Sequence, residues 1–220
     1  MPDAATPETP KRKMSRETRR QQLIEATIET LALRGYASTT LTEVARTAGL
    51  SHGLVNFHFE TKDKLLSETL LYLAEEYRLN WTKYLAGADP SPAAQLDALL
   101  RADLDPAICK PSRLSAWLAF WGEAQGRPLY QERASANDEY YISQIEGICI
   151  RLMAEGGYSG QVVRIARVLR ITTEGVWLDM MTMQTPYDVA ESQATIYACA
   201  AAFFPRHFGL DGLLTPAMPR

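Results

Sequence analysis
The chain has 220 residues, 46% hydrophobic and 22% charged, which suits a soluble globular protein of one large domain or a small head on a larger body. Its net charge of −3 does not mark a polyanion binder, but residues 1–66 carry 10 Lys/Arg against 8 Asp/Glu, while the remainder carries 13 against 18. Three widely spaced cysteines, Cys109, Cys149 and Cys199, exclude a disulfide scaffold or a CxxC zinc site and fit a reducing, cytoplasmic setting.

The first ten residues are polar and Pro-rich and lack the apolar core of a signal peptide. No apolar run reaches the ~18 residues of a membrane span, so no membrane partner is expected. Residues 1–14 read as a disordered basic tail. Within Lys11–Arg20 there are six basic residues and one acid, Glu17, the kind of arm that either meets a polyanion or stays solvated.

Ser15 is placed to cap a helix running to about Arg34, with Leu23, Ala26, Thr27 and Leu31 at helical spacing and Gly35 as its stop. Thr40 and Glu43 fit an S/T-x-x-E capping box, which predicts a second helix from Leu41 that Gly49 terminates. Ser51 then caps a short third helix over about His52–Phe57. Thr61 starts a long fourth one, with Leu65, Leu66, Thr69, Leu73 and Tyr77 at helical intervals.

Beyond the AGADPSP loop, helices are predicted at about 92–104, 111–125, 128–154, 161–182 and 187–207. Pro92, Pro111, Pro128, the GGYSG loop and Pro186 mark their limits. No period-2 run is found, so strands are expected to be absent. The fold class is all-α: an N-terminal helix-turn-helix three-helix head (15–60) and a C-terminal helical ligand-binding and dimerisation body (61–220).

The second and third helices, joined through Gly49–Ser51, form a helix-turn-helix pattern that an ordinary helical corner also shares. Ala45 and Ala48 allow close approach, and Val55 and Phe59 point inward. Gly53, Leu54, Asn56 and Phe57 are then left on the outer face, where a recognition helix meets the major groove. Asn56 has the donor–acceptor pair that reads adenine, and Leu54 and Phe57 can touch thymine methyls. His52 can donate to a base or phosphate. Lys62 and Lys64 open the fourth helix, where a phosphate is favoured.

The run TTLTEVARTAGLSHGLVNFHFETKDKLL resembles the DNA-binding signature of the TetR family, T-x-x-x-[IV]-A-x-x-A-G-[VL]-S-x-G-x-[LV] followed by an aromatic-rich triplet, F and x-x-K-x-x-L. Val44, Ala45, Ala48, Gly49, Ser51, Gly53, Val55, Phe59, Lys62 and Leu65 match. The resemblance covers about Arg16–Leu70. It implies a dimeric repressor whose two heads bind a palindromic double-stranded DNA operator. It also implies that Thr40 and Thr42 touch DNA at the helix entry, that His52, Gly53, Leu54, Asn56 and Phe57 form the reading face, and that His58 and Lys62 grip phosphates. Asn56 departs from the family, which commonly has Tyr there as a phosphate contact, so base reading and phosphate contact both stay open.

In the body, AWLAFW (Ala116–Trp121) and EGVWLDMM (Glu174–Met181) resemble segments of the BetI branch of that family, whose namesake responds to choline. Trp117, Trp121, Tyr140, Tyr141 and Trp177 are candidates for an aromatic site for a quaternary ammonium effector, because ring faces attract cations without an acceptor. Glu123, Glu174 or Asp179 can add counter-charge. The same rings also read as core. Small residues in ATIYACAAAFF (Ala194–Phe204), with Val168–Ile171 and Gly175, predict a homodimer through the last two helices, or else a buried intramolecular helix.

No HExxH, GxSxG, P-loop or GxGxxG is present, so no catalytic residue, metal site or cofactor is expected. A ligand-independent DNA-organising protein of the same fold is the rival expectation.

Overall fold
The computed structural model describes residues 15–123, 128–185 and 188–214, with the backbone alone for 128–137; the predicted tail 1–14 lies outside the described residues. Nine helices follow one another among the described residues. They are α1 (Arg16–Ser38), α2 (Leu41–Ala48), α3 (His52–Phe59), α4 (Lys62–Ala86), α5 (Pro92–Ala102), α6 (Pro111–Glu123), α7 (Pro128–Gly156), α8 (Val162–Thr182) and α9 (Val189–Phe203). One correction concerns strands. Phe208–Gly209 (β1) and Gly212–Leu213 (β2) close a minimal antiparallel hairpin after α9. It is too short to leave a period-2 pattern in sequence.

The local signals account for the helix ends. The hydroxyl oxygens of Ser15, Thr40, Ser51 and Thr61 accept from the backbone N–H three residues on, satisfying donors that each helix start leaves open. At Thr40 only half of the capping box forms, because the Glu43 carboxylate is taken by Arg34 and Arg46. Gly35, at φ +72°, breaks the helical path of α1 where the sequence places its stop.

Two apolar clusters organise the packing. The first joins Leu23, Ile28 and Leu31 of α1, Val44 of α2 and Val55 and Phe59 of α3 to Leu65–Leu73 of α4, and also to Ala116 and Phe120 of α6. The second joins Trp81 of α4 with α5, α7, α8, α9 and Phe208. The helix α4 serves both, and α6 packs along α1, where Tyr36 and Phe120 meet edge to face at 6.3 Å.

Candidate DNA-reading face and ligand site
The turn between α2 and α3 is fixed by backbone geometry. Gly49 takes φ +66°, ψ 32°; its N–H donates to Arg46 O and that of Leu50 donates to Ala45 O, the two bonds of a Schellman stop. An L-residue with a Cβ is costly in that conformation, so glycine is required by the turn itself. The side-chain amide of Gln22 donates to Ala48 O (3.0 Å), and Thr30 bonds Thr47 (3.0 Å), so α1 holds α2 from behind.

With Val55 and Phe59 fully buried, α3 is fixed in rotation. His52, Gly53, Asn56 and Phe57 then lie exposed, Leu54 is half-buried, and Thr40 and Thr42 are exposed at the start of α2. The structure thus brings seven of the nine residues expected at DNA onto neighbouring surfaces.

The other two are placed differently. His58 is buried, three residues beyond Val55 on the inward face of α3; its ring lies between Phe57 (5.3 Å) and Phe59 (6.3 Å), and its Nδ1 is enclosed without a partner. Burial first, then the Arg16, Arg20 and Arg19 cations, hold its imidazole below the usual histidine range. Its burial makes it part of the packing of α3. Lys62 turns back into the protein: its ammonium donates to Tyr36 O (2.9 Å) and Ala37 O (3.2 Å) and lies over the Tyr36 ring at 5.1 Å. Both carbonyls lie in the last turn of α1, and Tyr36 O also accepts from Thr39 N–H, so this cation reinforces a helix terminus.

Between α3 and α4 the chain makes a strained turn. Glu60 sits at φ +60°, ψ −48°, and Thr61 N–H donates to Phe59 O at 2.6 Å, a γ-turn of the rare positive-φ kind. Glu60 is the one non-glycine residue with positive φ among the described residues.

The aromatic residues expected to hold a ligand fall into two groups. Trp117, half-buried, packs with the α1–α3 cluster, and Trp121, exposed, lies 6.3 Å from it. Tyr141 and Trp177 instead lie in the second cluster, with Tyr140 on its exposed edge. Two rings of α4 that sequence reasoning did not single out join them. Tyr77 lies 5.7 Å from both Tyr141 and Trp177. Trp81 lies 5.2 Å from Tyr140 and 5.7 Å from Tyr141.

At the centre is Asp103, the residue that follows α5 and is only 1% exposed. Tyr77 OH donates to its Oδ1 (2.7 Å) and Tyr141 OH to its Oδ2 (2.8 Å). Trp177 Nε1–H donates to its backbone carbonyl (2.8 Å). Burial pushes the carboxyl up to about 7, against the hydrogen bonds from the two tyrosines that favour its charged form. Glu174, which pairs with Arg170 on α8, adds negative potential to the same region. Tyr77, Tyr141 and Trp177 thus turn their polar edges, not their faces, to buried Asp103, with the Trp81 ring packed against Tyr141. A cavity of about 70 Å³ lies along the same α7–α8 seam, lined by Ile142, Ile145, Glu146, Ala166, Arg167 and Arg170.

A third constellation ties the two clusters together. Arg113 of α6, 7% exposed, forks onto two carboxylates. Its Nη atoms donate to Glu25 of α1 (2.9 and 3.0 Å), and its Nε and Nη2 donate to Glu76 of α4 (2.9 and 3.1 Å). Tyr72 OH also donates to Glu25 (2.8 Å).

A glycine-stopped α2, a rotationally fixed α3 and an exposed polar and aromatic face define a helix-turn-helix DNA-binding transcriptional regulator. Residues 23–69 match the family described as bacterial regulatory proteins, tetR family, and residues 92–205 match that described as BetI-type transcriptional repressor, C-terminal. The chain belongs to the TetR family of transcriptional regulators, in its BetI-type branch. It is 29% identical over 179 residues to the HTH-type transcriptional regulator BetI of Stenotrophomonas maltophilia, an alignment covering 81% of this chain and 89% of that one. These relatives are regulators and not enzymes.

Among solved structures, a transcriptional regulator of Pseudomonas aeruginosa shares the fold with a TM-score of 0.76 at 24% identity, covering 88% of this chain and 93% of that one. A regulator of Saccharomonospora viridis, solved in complex with choline, shares it with a TM-score of 0.74 at 18% identity, covering 88% and 98%. Among the described residues, no helix is long and apolar enough to cross a membrane.

Proposed function
We propose that this protein is a cytoplasmic, dimeric repressor that occupies a palindromic operator and leaves it when a small organic cation, choline or another quaternary ammonium compound, enters the body. Residues 15–60 act as the reading head and 61–220 as the body. The observation that carries the effector reading is the aromatic cluster of Tyr77, Tyr141 and Trp177 around the acidic Asp103, with Trp81 and Tyr140 stacked beside it. Each ring face contributes roughly 0.5–2 kcal/mol to a cation, more as water is excluded. The choline bound by the Saccharomonospora regulator supports the same class of ligand.

On this reading Thr40, Thr42, His52, Gly53, Leu54, Asn56 and Phe57 face the DNA. Dimerisation through α8 and α9 is supported by a solvent-facing apolar strip: Val168, Ile171 and Leu178 are 37–50% exposed, with Gly175 between them and Ala194, Ala198 and Ala202 exposed on α9. Two such surfaces related by a two-fold would place two heads one helical turn of DNA apart.

The test is calorimetric titration of the whole protein with choline chloride, against tetramethylammonium and ethanolamine. It is followed by anisotropy of a duplex enriched by in-vitro selection. Saturable choline binding that weakens at least tenfold in Trp177→Leu and lowers duplex affinity supports the proposal. Absence of binding by all three cations in the wild-type protein ends the effector reading and leaves the regulator class intact. Duplex binding unaffected by any small molecule would favour a ligand-independent DNA-organising role.

A further inference from the structure
We propose that Arg16, in the first turn of α1, is a phosphate-gripping residue of the DNA face and that exposed Phe57 of α3 is the platform that aims it. The proposal rests on the reading face assigned above and adds to it a residue from outside the helix-turn-helix.

The ring of Phe57 is 65% exposed, and the Arg16 guanidinium lies over it, with its central carbon 5.6 Å from the ring centroid. Across the three N-terminal helices every other described cation is engaged with a polar partner. Arg19 bonds Gln22, Arg20 pairs with Glu17 and Glu68, and Arg34 and Arg46 share Glu43. Lys62 bonds the end of α1, and Lys64, at the start of α4, pairs with Glu60. Among the described residues Arg16 makes no hydrogen bond and no ion pair; its ring contact leaves the N–H donors of its guanidinium open there, and the residue is exposed.

A guanidinium stacked on an aromatic ring keeps its planar fork free at the edge, and that edge matches two phosphate oxygens. Stacking also removes part of the rotamer freedom that a long side chain gives up on binding. An exposed Phe beside this Arg thereby acquires a physical purpose: it holds one cation beside the face that presents His52 and Asn56. Phe57 is on this account a positioning residue for Arg16, in addition to any contact it makes with a base.

The experiment uses the full-length protein and the in-vitro selected duplex, with the affinity measured by anisotropy at several salt concentrations. Arg16→Ala should lower the slope of log affinity against log salt by about 0.9, one phosphate's share. It should weaken binding about tenfold at low salt, equally across single-base variants of the duplex. Arg16→Lys should restore the slope. Phe57→Leu should cost affinity in the wild-type background and leave the slope of the Arg16→Ala protein unchanged, because the platform has nothing left to aim. Thermal midpoints within about 2 °C of wild type verify that folding is intact.

An unchanged salt slope in Arg16→Ala overturns the proposal, and so does a loss confined to one base pair. If the wild-type protein enriches no duplex, the reading face itself fails, a result distinct from either.

Discussion
Replacing Arg113 by Ala removes four charge-assisted hydrogen bonds at once and leaves Glu25 and Glu76 facing an empty space. The magnitude follows from exposure. Breaking a fully buried pair costs about 3–5 kcal/mol, whereas exposed pairs are worth roughly 0–1 kcal/mol. Arg113 has 8% of its side chain exposed, but Glu25 and Glu76 have 37% and 28%, so water can reach the orphaned carboxylates. The loss should therefore fall between the two limits, at about 2–3 kcal/mol, or roughly 5–10 °C in thermal midpoint for a chain of this size.

Thermal and urea unfolding of the wild type, Arg113→Ala and Arg113→Met measure it. The Met variant keeps the aliphatic stem that packs between α1 and α4, so it should recover less than half of the loss if charge pairing dominates. The pH dependence adds a signature. Burial would raise the Glu25 carboxyl, but hydrogen bonds from Arg113 and Tyr72 outweigh it and hold the group below the usual range. A group depressed in the folded state stabilises above its unfolded pKa, near 4.3 for a glutamate, and that stability is lost as pH falls through the folded value. The difference between wild type and Arg113→Ala should thus be constant at neutral pH and shrink below about pH 4.5. A midpoint within 2 °C of wild type at pH 7 refutes the reasoning.

Asp103 gives the opposite sign. Its carboxyl sits at about 7 in the fold, so between roughly pH 4 and 7 the folded chain keeps a proton the unfolded chain has shed, and stability falls as pH rises. Asp103→Asn should flatten the midpoint-against-pH curve over that window; parallel curves would exclude this assignment. Glu60→Gly should relieve the positive-φ turn and raise stability by about 1 kcal/mol, since the exposed Glu60–Lys64 pair it removes is worth little; a loss measured by urea unfolding would show the turn to be unstrained. Asn56→Ala should reduce discrimination among single-base operator variants by ~1–3 kcal/mol if the amide reads a base, and uniform weakening across the panel would make it a phosphate contact. Ile171→Glu, placed on the open strip of α8, should yield monomers by sedimentation and weaken palindrome binding far more than half-site binding; a persisting dimer would move the interface elsewhere.

How far the sequence reached depends on the range of the forces involved. Thr40, Gly49, Ser51 and Thr61 were legible because a cap or a left-handed stop is decided within a few residues. The same local logic gave the rotation of α3, since Val55 and Phe59 set its buried side. His58 turns inward because α3 continues to Phe59, beyond the expected end at Phe57. The acceptors of Lys62, Tyr36 O and Ala37 O, lie some 25 residues back along the chain, where no local pattern announces them. Asp103 and Arg113 left no local signal at all. RADLDP reads as a solvated helix end and PSRLSAW as the surface of a new helix. Only the meeting of α4, α7 and α8 buries the first, and only the packing of α6 against α1 and α4 buries the second. For the aromatic residues, spacing along one helix favoured Trp117 and Trp121 as partners of Tyr140, Tyr141 and Trp177, whereas the tertiary arrangement recruits Tyr77 and Trp81 of α4.

That arrangement gives the proposed induction a physical route. On α4, Glu76 accepts from Arg113 and the next residue, Tyr77, donates to Asp103. The aromatic cluster and the head-side ion pair therefore meet at adjacent residues of one helix, Glu76 and Tyr77. The α6 helix carries Arg113 and, one turn on, Trp117, whose packing against the α1–α3 cluster places it beside that junction. Trp117 is then better suited to passing on a displacement than to holding a cation. A cation that reorients Tyr77 would act on Glu76, and through Arg113 on Glu25 of α1. In the proposed dimer both heads meet half-sites about 34–36 Å apart on one face of the duplex, and a tilt of α1 that is small at Glu25 grows with distance toward α3. Coupling of this kind needs a bistable contact that both sites bias. The forked Arg113, which bonds Glu25 of α1 and Glu76 of α4 at once, is the contact through which the two sides would be coupled.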